Sequence, residues 1–172
     1  MADAWRRLAR LRVPIGFAAG ALVLLLAQPT WPALAAGTAV ACAGEAIRIW
    51  AAGHLEKSRE VTRTGPYRWS RHPLYFGSTL MGAGVAIAGQ SAVAAAIIAG
   101  YLLATLLAAV RTEEAFLRGK FGAEYNDYCL GRAGVTDRAF SWARAWRNRE
   151  YRAVLGMCGV LAILALKARF LS

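Results

Sequence analysis

The chain has 172 residues, 58% of them hydrophobic, and still carries 21 lysines and arginines against ten acidic residues, a net charge of +11. Residues 13–41 and 73–110 carry no charge, whereas the basic residues gather at 1–12, 48–71 and 111–152. Because a charge in the hydrocarbon core of a bilayer is costly, this segregation excludes a soluble amphipathic domain, and anionic headgroups explain the positive charge better than nucleic acid does.

The uncharged stretches predict an all-α membrane bundle of about five transmembrane helices. Their expected limits are about 13–27, 32–52, 73–88, 92–110 and 153–168. The first helix also fits a cleaved signal peptide, but its apolar run is long and Pro29 and Pro32 interrupt any cleavage site, so we expect it to be retained. The fifth has a short uncharged core, and Lys167 and Arg169 at its end favour a tilted or shallow helix.

Loop charge predicts the orientation of this bundle. With the N-terminus in the cytoplasm, all three basic blocks are cytoplasmic, including segments 53–72 and 111–152, while the two short loops outside are uncharged. The chain shows no internal repeat or linker, which predicts a single membrane-embedded domain over 1–172. Its short, Ala- and Arg-rich sequence looks bacterial, so we expect the bacterial inner membrane.

A second kind of helix is expected just before the fifth span. Trp142 and Trp146 fall on one helical face together with Ala139 and Ala143, a pattern typical of a helix lying in the headgroup layer. The arginines interleaved with that face are Arg138, Arg144, Arg147 and Arg149. We expect the tryptophans to be buried in lipid and the arginines to face phosphate; the alternative is a solvated basic loop.

Three further sequence features predict packing. Glu45 and Arg48 lie three residues apart, so they are expected to pair with each other, whereas His54 has no evident partner. The glycines of the third helix are expected to bring it close to the fourth; they are Gly77, Gly82, Gly84 and Gly89. Cys42, Cys129 and Cys158 show no spacing typical of a metal site or a disulfide, and no metal is predicted.

Two basic stretches, 61–77 and 111–128, contain the candidate site residues. Pro73 suits the first turn of the third helix, which makes His72 the predicted N-cap. A helix start offers free N–H groups to an anion, and Arg71 adds a formal charge. The alternative is that Arg71 meets only lipid phosphate and His72 only caps the helix.

The hairpin of the third and fourth helices brings the second stretch to the first. Folding near Ser91 places Glu113 and Glu114 beside the 69–75 turn. Acidic groups at the predicted C-terminus of the fourth helix oppose its dipole, so they indicate a cationic ligand or an arginine partner. Pairing of Glu113 with Arg71 or Arg68 is the simpler alternative. Together the stretches predict a site for a zwitterionic ligand.

Four segments in this order carry a family resemblance. They are Gly65-Pro-Tyr67, Arg71-His-Pro-Leu-Tyr75, Glu113-Glu114 and Phe121-Gly-Ala-Glu-Tyr-Asn-Asp-Tyr128. This series resembles the signature of the isoprenylcysteine carboxyl methyltransferase family, which is also similar to the phospholipid N-methyltransferases. The resemblance covers about 61–128 and implies an integral membrane methyltransferase that binds S-adenosylmethionine on the cytoplasmic side without a Rossmann domain.

The resemblance also implies roles for individual residues. The implied cofactor contacts begin near Arg59 and are Val61, Thr62, Tyr67, Arg71, His72, Pro73, Leu74, Tyr75 and Glu113. The implied catalytic pair is Arg111 with Glu114. Arg111 is the arginine nearest to the family position that contacts the methyl acceptor, although its spacing is shifted. No metal is required for methyl transfer.

The methyl acceptor is expected to be a molecule of the membrane. Membrane lipids and a lipophilic or lipidated acceptor are the expected partners, with a carboxylate, thiol or amine as the group methylated. Two other functions fit the sequence: a nicotinamide-dependent membrane reductase of the sterol-reductase type, and a small non-enzymatic membrane scaffold. Oligomeric state is left open.

Overall fold

The computed structural model describes residues 2–134 and 136–171, with side chains from residue 14 onward, so the basic side chains at 1–12 lie outside the described ones. Within this part of the chain every regular element is helical, which confirms the predicted all-α class. The helices are α1 (Ala2–Leu26), α2 (Trp31–His54), a 3-10 turn (Gly65–Arg68), α3 (Pro73–Gly89), α4 (Ala92–Phe121), α5 (Ala123–Cys129), α6 (Trp142–Arg147) and α7 (Tyr151–Leu171).

All five predicted apolar segments are helices. By length and composition α2, α4 and α7 can each cross a membrane, and Pro14–Leu26 and α3 are shorter apolar helices. The fifth segment, for which we expected a short core, forms a 21-residue helix and is one of the three that are long enough. Lys167, near its end, donates hydrogen bonds to the carbonyls of Leu24 and Leu25 at the end of α1.

A glycine-lined contact joins α2 to α3. A Cβ atom added to Gly84 would lie 2.5 Å from the backbone nitrogen of Ala41, and one added to Gly44 would lie 2.6 Å from the carbonyl of Gly77. We expected the glycines of the third helix to pack against the fourth helix, and this prediction is wrong for Gly77 and Gly84. These two lie seven residues apart on one face, which meets α2; Gly82 lies on another face and does contact α4.

The end of α4 differs most from expectation. The predicted end at residue 110 is wrong, because the helix continues to Phe121 and ends at Gly122, whose φ is +50°. Charged residues mark the end of a membrane-spanning segment, but they do not end a helix. The helix continues here because the residues after 110 are mostly good helix formers. Glu113 and Glu114 therefore lie inside α4, so the dipole argument based on a helix end does not apply to them.

The expected headgroup-layer helix is shorter than predicted, since α6 has only six residues. Trp142 and Trp146 are exposed, as a lipid-facing role requires. The arginines do not all point outward: Arg144 pairs with Glu56 at 2.9 Å and Arg138 with Glu60 at 2.6 Å. A carboxylate within reach offers these guanidinium groups a fixed, partly buried partner, so they join α6 and the segment before it to the loop after α2.

His54 supports the Gly65–Arg68 turn. Its Nδ1 lies 3.1 Å from the Thr64 hydroxyl, and both side chains are buried. Gly65 has a φ of +56°, and a Cβ atom there would meet the His54 ring at 2.5 Å. Only glycine satisfies both the backbone conformation and this close approach. The turn, and with it Tyr67, is therefore held in one position.

Candidate functional site

A cavity of about 370 Å³ lies where four parts of the chain meet. These parts are the loop at 55–62, here called the wall loop, the region from the 3-10 turn to the start of α3, the C-terminal half of α4, and α5. Six residues predicted to bind the cofactor line it: Val61, Thr62, Tyr67, Arg71, Tyr75 and Glu113. The fold thus brings these six predicted residues together in the wall of one cavity.

Five other predicted site residues lie beside the cavity and not in its wall. They are His72, Pro73, Leu74, Arg111 and Glu114. Pro73 is buried at the start of α3, and the carbonyl of Leu74 accepts a hydrogen bond from Arg48 on α2. Arg111 is exposed on α4, next to the wall residue Thr112.

His72 is the N-cap of α3, as predicted, but it caps through its backbone alone. Its carbonyl accepts hydrogen bonds from the N–H groups of Tyr75 and Phe76. Its side chain is directed to α4, where Nε2 lies 3.2 Å from Oε1 of Glu114. The predicted meeting of the α3 start with the glutamate pair is therefore confirmed.

The two glutamates have different surroundings. Glu114 forms ion pairs with Arg71 at 3.2 Å and with Arg118 at 3.4 Å. Glu113 lines the cavity, and its Oε2 accepts a hydrogen bond of 2.6 Å from the Tyr75 hydroxyl. Consecutive helical residues point about 100° apart, so the Glu114 carboxylate is tied to arginines while the Glu113 carboxylate lies in the cavity wall, 4.0 Å from Nδ1 of His72.

The simpler alternative for Glu113, a pair with Arg71 or Arg68, is wrong. Arg71 reaches Glu114 instead, and Arg68 pairs with Asp137 at 2.7 Å. Asp137 lies in the segment before α6, which returns to the 3-10 turn. Arg71 and Arg68 thus have carboxylate partners other than Glu113.

Several tyrosines belong to the polar part of the wall. Four of them line the cavity: Tyr67, Tyr75, Tyr125 and Tyr128. Burial raises the pKa values of the Tyr67 and Tyr125 hydroxyls and raises the pKa of Tyr128 to about 12. These phenols therefore stay protonated at neutral pH and can donate hydrogen bonds. Tyr128 already donates one, of 2.7 Å, to the carbonyl of Tyr67.

The wall residues that were not predicted as site residues include two groups on α5 and α4. Tyr125 and Tyr128 belong to the segment that carries the resemblance, and their i, i+3 spacing on α5 was the signal that could have placed them together. The wall residues on α4 before Glu113 include Thr105, Ala108 and Thr112, again at spacings of three and four. Ending the fourth helix at 110 separated this face from Glu113.

The wall loop is held from two sides. Lys120, at the end of α4, donates a 2.7 Å hydrogen bond to the carbonyl of Ser58, whose φ is +60°. On the other side Glu56 and Glu60 form the ion pairs with Arg144 and Arg138. The wall loop is thus attached to both α4 and the α6 segment.

A buried ion network lies behind the start of α3. Arg48 pairs with Glu45 at 3.8 Å, which confirms their predicted pairing, but its nearer partner is Glu150 at 2.7 Å. Arg48 also donates hydrogen bonds to the carbonyl of Leu74 and the hydroxyl of Ser78. This side chain therefore joins α2, α3 and the corner before α7.

Comparison with known proteins adds an independent observation. A family model described as phospholipid methyltransferase matches residues 34–124, which contain α2 from residue 34 on, the 3-10 turn, α3 and all of α4. The nickel-cobalt-cadmium resistance protein NccN of Alcaligenes xylosoxydans xylosoxydans is 35% identical over 83 residues, 47% of this chain. The matched stretch spans only 38% of the length of that relative. No solved structure matches the chain.

Proposed function

The chain belongs to the phospholipid methyltransferase family, and from that premise we propose that it transfers a methyl group from S-adenosylmethionine to a lipophilic acceptor. Membership in this family and the apolar helices both support a membrane methyltransferase. The cofactor and the class of acceptor are the finer parts of the proposal. The observation that carries the proposal is the position of Glu113 in the cavity wall, next to neutral phenols and apart from the arginines.

The chemistry of the cavity suits this cofactor. S-adenosylmethionine presents a carboxylate, an ammonium, ribose hydroxyls and a sulfonium, and these groups need a carboxylate partner together with hydrogen-bond donors. Glu113 supplies the first and the protonated tyrosines supply the second. The volume of about 370 Å³ lies within the usual range of small-molecule sites, roughly 300–1,000 Å³. We therefore assign the cofactor to this cavity.

Positioning and exclusion of water are the proposed tasks of the protein. The bound cofactor would supply a methyl group activated by the sulfonium. Glu113 would fix the polar end of the cofactor, and the wall loop, attached to Lys120 and to the α6 segment, would keep water from the reacting atoms. For Arg111 and Glu114 we propose the acceptor side of the site, since they share with Glu113 one turn of α4.

The same proposal includes orientation and location. The positive-inside rule places the end of the bundle that carries the wall loop, α5 and α6 in the cytoplasm, because the basic blocks 48–71 and 111–152 gather there. A bacterial inner membrane provides anionic lipids for these charges. An acceptor that partitions into the bilayer would reach the site from the membrane.

Transfer of a labelled methyl group tests the proposal. Protein in lipid nanodiscs with S-adenosylmethionine labelled on its methyl group is expected to transfer label to the organic extract, containing either bilayer lipid or an added amphipathic carboxylate, thiol or amine. Glu113→Gln is the matched control, and its extract should stay near background. Equal labelling of the two extracts, or none with any acceptor, would contradict the proposal.

A further inference from the structure

A short turn over residues 148–150, here called the α6–α7 corner, connects α6 to α7. Its N–H groups close α6: that of Arg149 donates to the carbonyl of Trp146 at 2.8 Å, and that of Glu150 to the carbonyl of Ala145 at 3.2 Å. Helices that end in this way usually have glycine at the position of Arg149, whose φ is +62°. Because an arginine is less favourable there for the backbone, its side chain is a candidate for a role outside the fold.

The α6–α7 corner is held firmly by the rest of the protein. The side-chain amide of Asn148 donates hydrogen bonds of 2.9 Å to two carbonyls at the end of α2. The buried carboxylate of Glu150 accepts a hydrogen bond of 2.7 Å from Arg48. Arg149, between these two anchored residues, is exposed. The corner therefore presents this guanidinium group to the surroundings from a fixed backbone.

A second exposed arginine, Arg152, lies next to the first. Its N–H donates to the carbonyl of Arg149 at 3.0 Å. The guanidinium carbon of Arg152 lies 5.9 Å from the centroid of the Tyr151 ring, and that ring stacks on the exposed Trp146 at 4.6 Å. From here α7 continues as an apolar helix that is long enough to cross a membrane. Arginines and amphipathic aromatic rings at the start of such a helix lie at the level of the lipid headgroups.

The charges at the corner favour an anion. Among the side chains that the structure describes, neither Arg149 nor Arg152 forms an ion pair with a carboxylate. Glu150 is buried in its pair with α2, and Glu56 is shared by three arginines, of which the exposed Arg147 is one. The corner thus carries positive charge that the described acidic groups do not neutralise.

We propose that the α6–α7 corner binds an anionic phospholipid, with the phosphate between Arg149 and Arg152 and the lipid chains beside Trp146. Guanidinium groups suit phosphate oxygens because they donate several N–H groups in one plane. The exposed tryptophan and the apolar start of α7 favour a lipid over free phosphate. None of these residues lines the cavity near Glu113, so this lipid is distinct from the methyl acceptor.

A lipid titration of the full chain in an uncharged detergent tests the site, with bound lipid counted by native mass spectrometry. Phosphatidylglycerol should bind at least about tenfold more tightly than phosphatidylcholine, whose ammonium cancels the charge of the phosphate. An excess of inorganic phosphate should not displace the bound phosphatidylglycerol. No cofactor is present in these titrations, so their failure leaves the proposed function standing.

Arg149→Gly and Arg152→Gln should each lower the affinity for phosphatidylglycerol about fivefold, the loss expected for one basic residue at an anionic surface. The matched control is Arg132→Gln, which removes the same charge from an exposed arginine on the loop after α5. Its affinity should stay within about twofold of the unsubstituted protein, since its charge acts only at long range. In phosphatidylcholine nanodiscs Arg149→Gly should unfold at the same temperature as the unsubstituted protein or a higher one, because glycine favours the backbone conformation at this position.

Four results would overturn the inference. Equal affinity for the two lipids would show that the corner does not select an anionic headgroup. Equal losses in Arg132→Gln and the two corner variants would assign the binding to net charge. Displacement of the lipid by inorganic phosphate would indicate a site for the free ion. A lower unfolding temperature of Arg149→Gly in phosphatidylcholine would assign the Arg149 side chain to the fold.

Discussion

Replacing Glu113 with glutamine is expected to weaken binding of S-adenosylhomocysteine by about 10- to 150-fold, the usual range for losing a hydrogen bond to a charged group. The substitution keeps the shape of the side chain and removes its charge. In the wall Glu113 accepts a hydrogen bond from the Tyr75 hydroxyl and pairs with no arginine among the described residues, so we expect its negative charge to meet the ammonium or ribose of the ligand. Glutamine cannot replace that charge.

The matched control for this titration is Glu124→Gln on α5. Glu124 also lies near the site, but its carboxylate is 45% exposed and pairs with Arg63 at 2.9 Å outside the wall. Its affinity should stay within about twofold of the unsubstituted protein, since exposed ion pairs contribute little. An unchanged dissociation constant for Glu113→Gln, or an equal loss in both variants, would remove Glu113 from the cofactor site.

Arg48→Met is expected to destabilise the fold by about 3–5 kcal/mol, the cost typical of breaking a buried ion pair by removing one partner. Glu45 and Glu150 are both buried, and the substitution would leave the two carboxylates without their cation. The hydrogen bonds from Arg48 to Leu74 and Ser78 would be lost as well. Because these join α2 to the start of α3, unfolding in detergent should occur at a clearly lower temperature or denaturant concentration.

Arg63→Met provides the matched comparison. It makes the same change in an arginine of similar exposure, but the carboxylate partner of Arg63 is the half-exposed Glu124. Its removal should cost less than about 1 kcal/mol. Similar losses for the two variants would mean that the buried network contributes no more than a surface pair does.

The meeting of the two chemical stretches could be predicted from the sequence because it depends on helix lengths alone. Two apolar helices joined by a short turn near Ser91 must bring their outer ends together, and His72 indeed reaches Glu114. Helix existence followed from uncharged runs of sufficient length, and the N-cap followed from Pro73. These features are local, so propensity and hydropathy determine them.

The different surroundings of Glu113 and Glu114 could not be predicted in this way. It depends on the direction of each side chain on α4, and that helix continues past the point where apolar residues end. The ion-pair partners of Arg138 and Arg144 could not be predicted either, because the carboxylates that they contact lie some 80 to 90 residues earlier in the chain. The packing of Gly77 and Gly84 against α2 likewise depends on which helix faces which side of α3.

The most direct measurement is a titration of the unsubstituted protein with S-adenosylhomocysteine and, separately, with NADPH, followed by calorimetry or thermal shift. If the cavity of about 370 Å³ is the cofactor site of a methyltransferase, S-adenosylhomocysteine should bind saturably and NADPH should not. Binding of NADPH alone would contradict this account and indicate a reductase. Binding of neither ligand would also contradict it and would favour a scaffold.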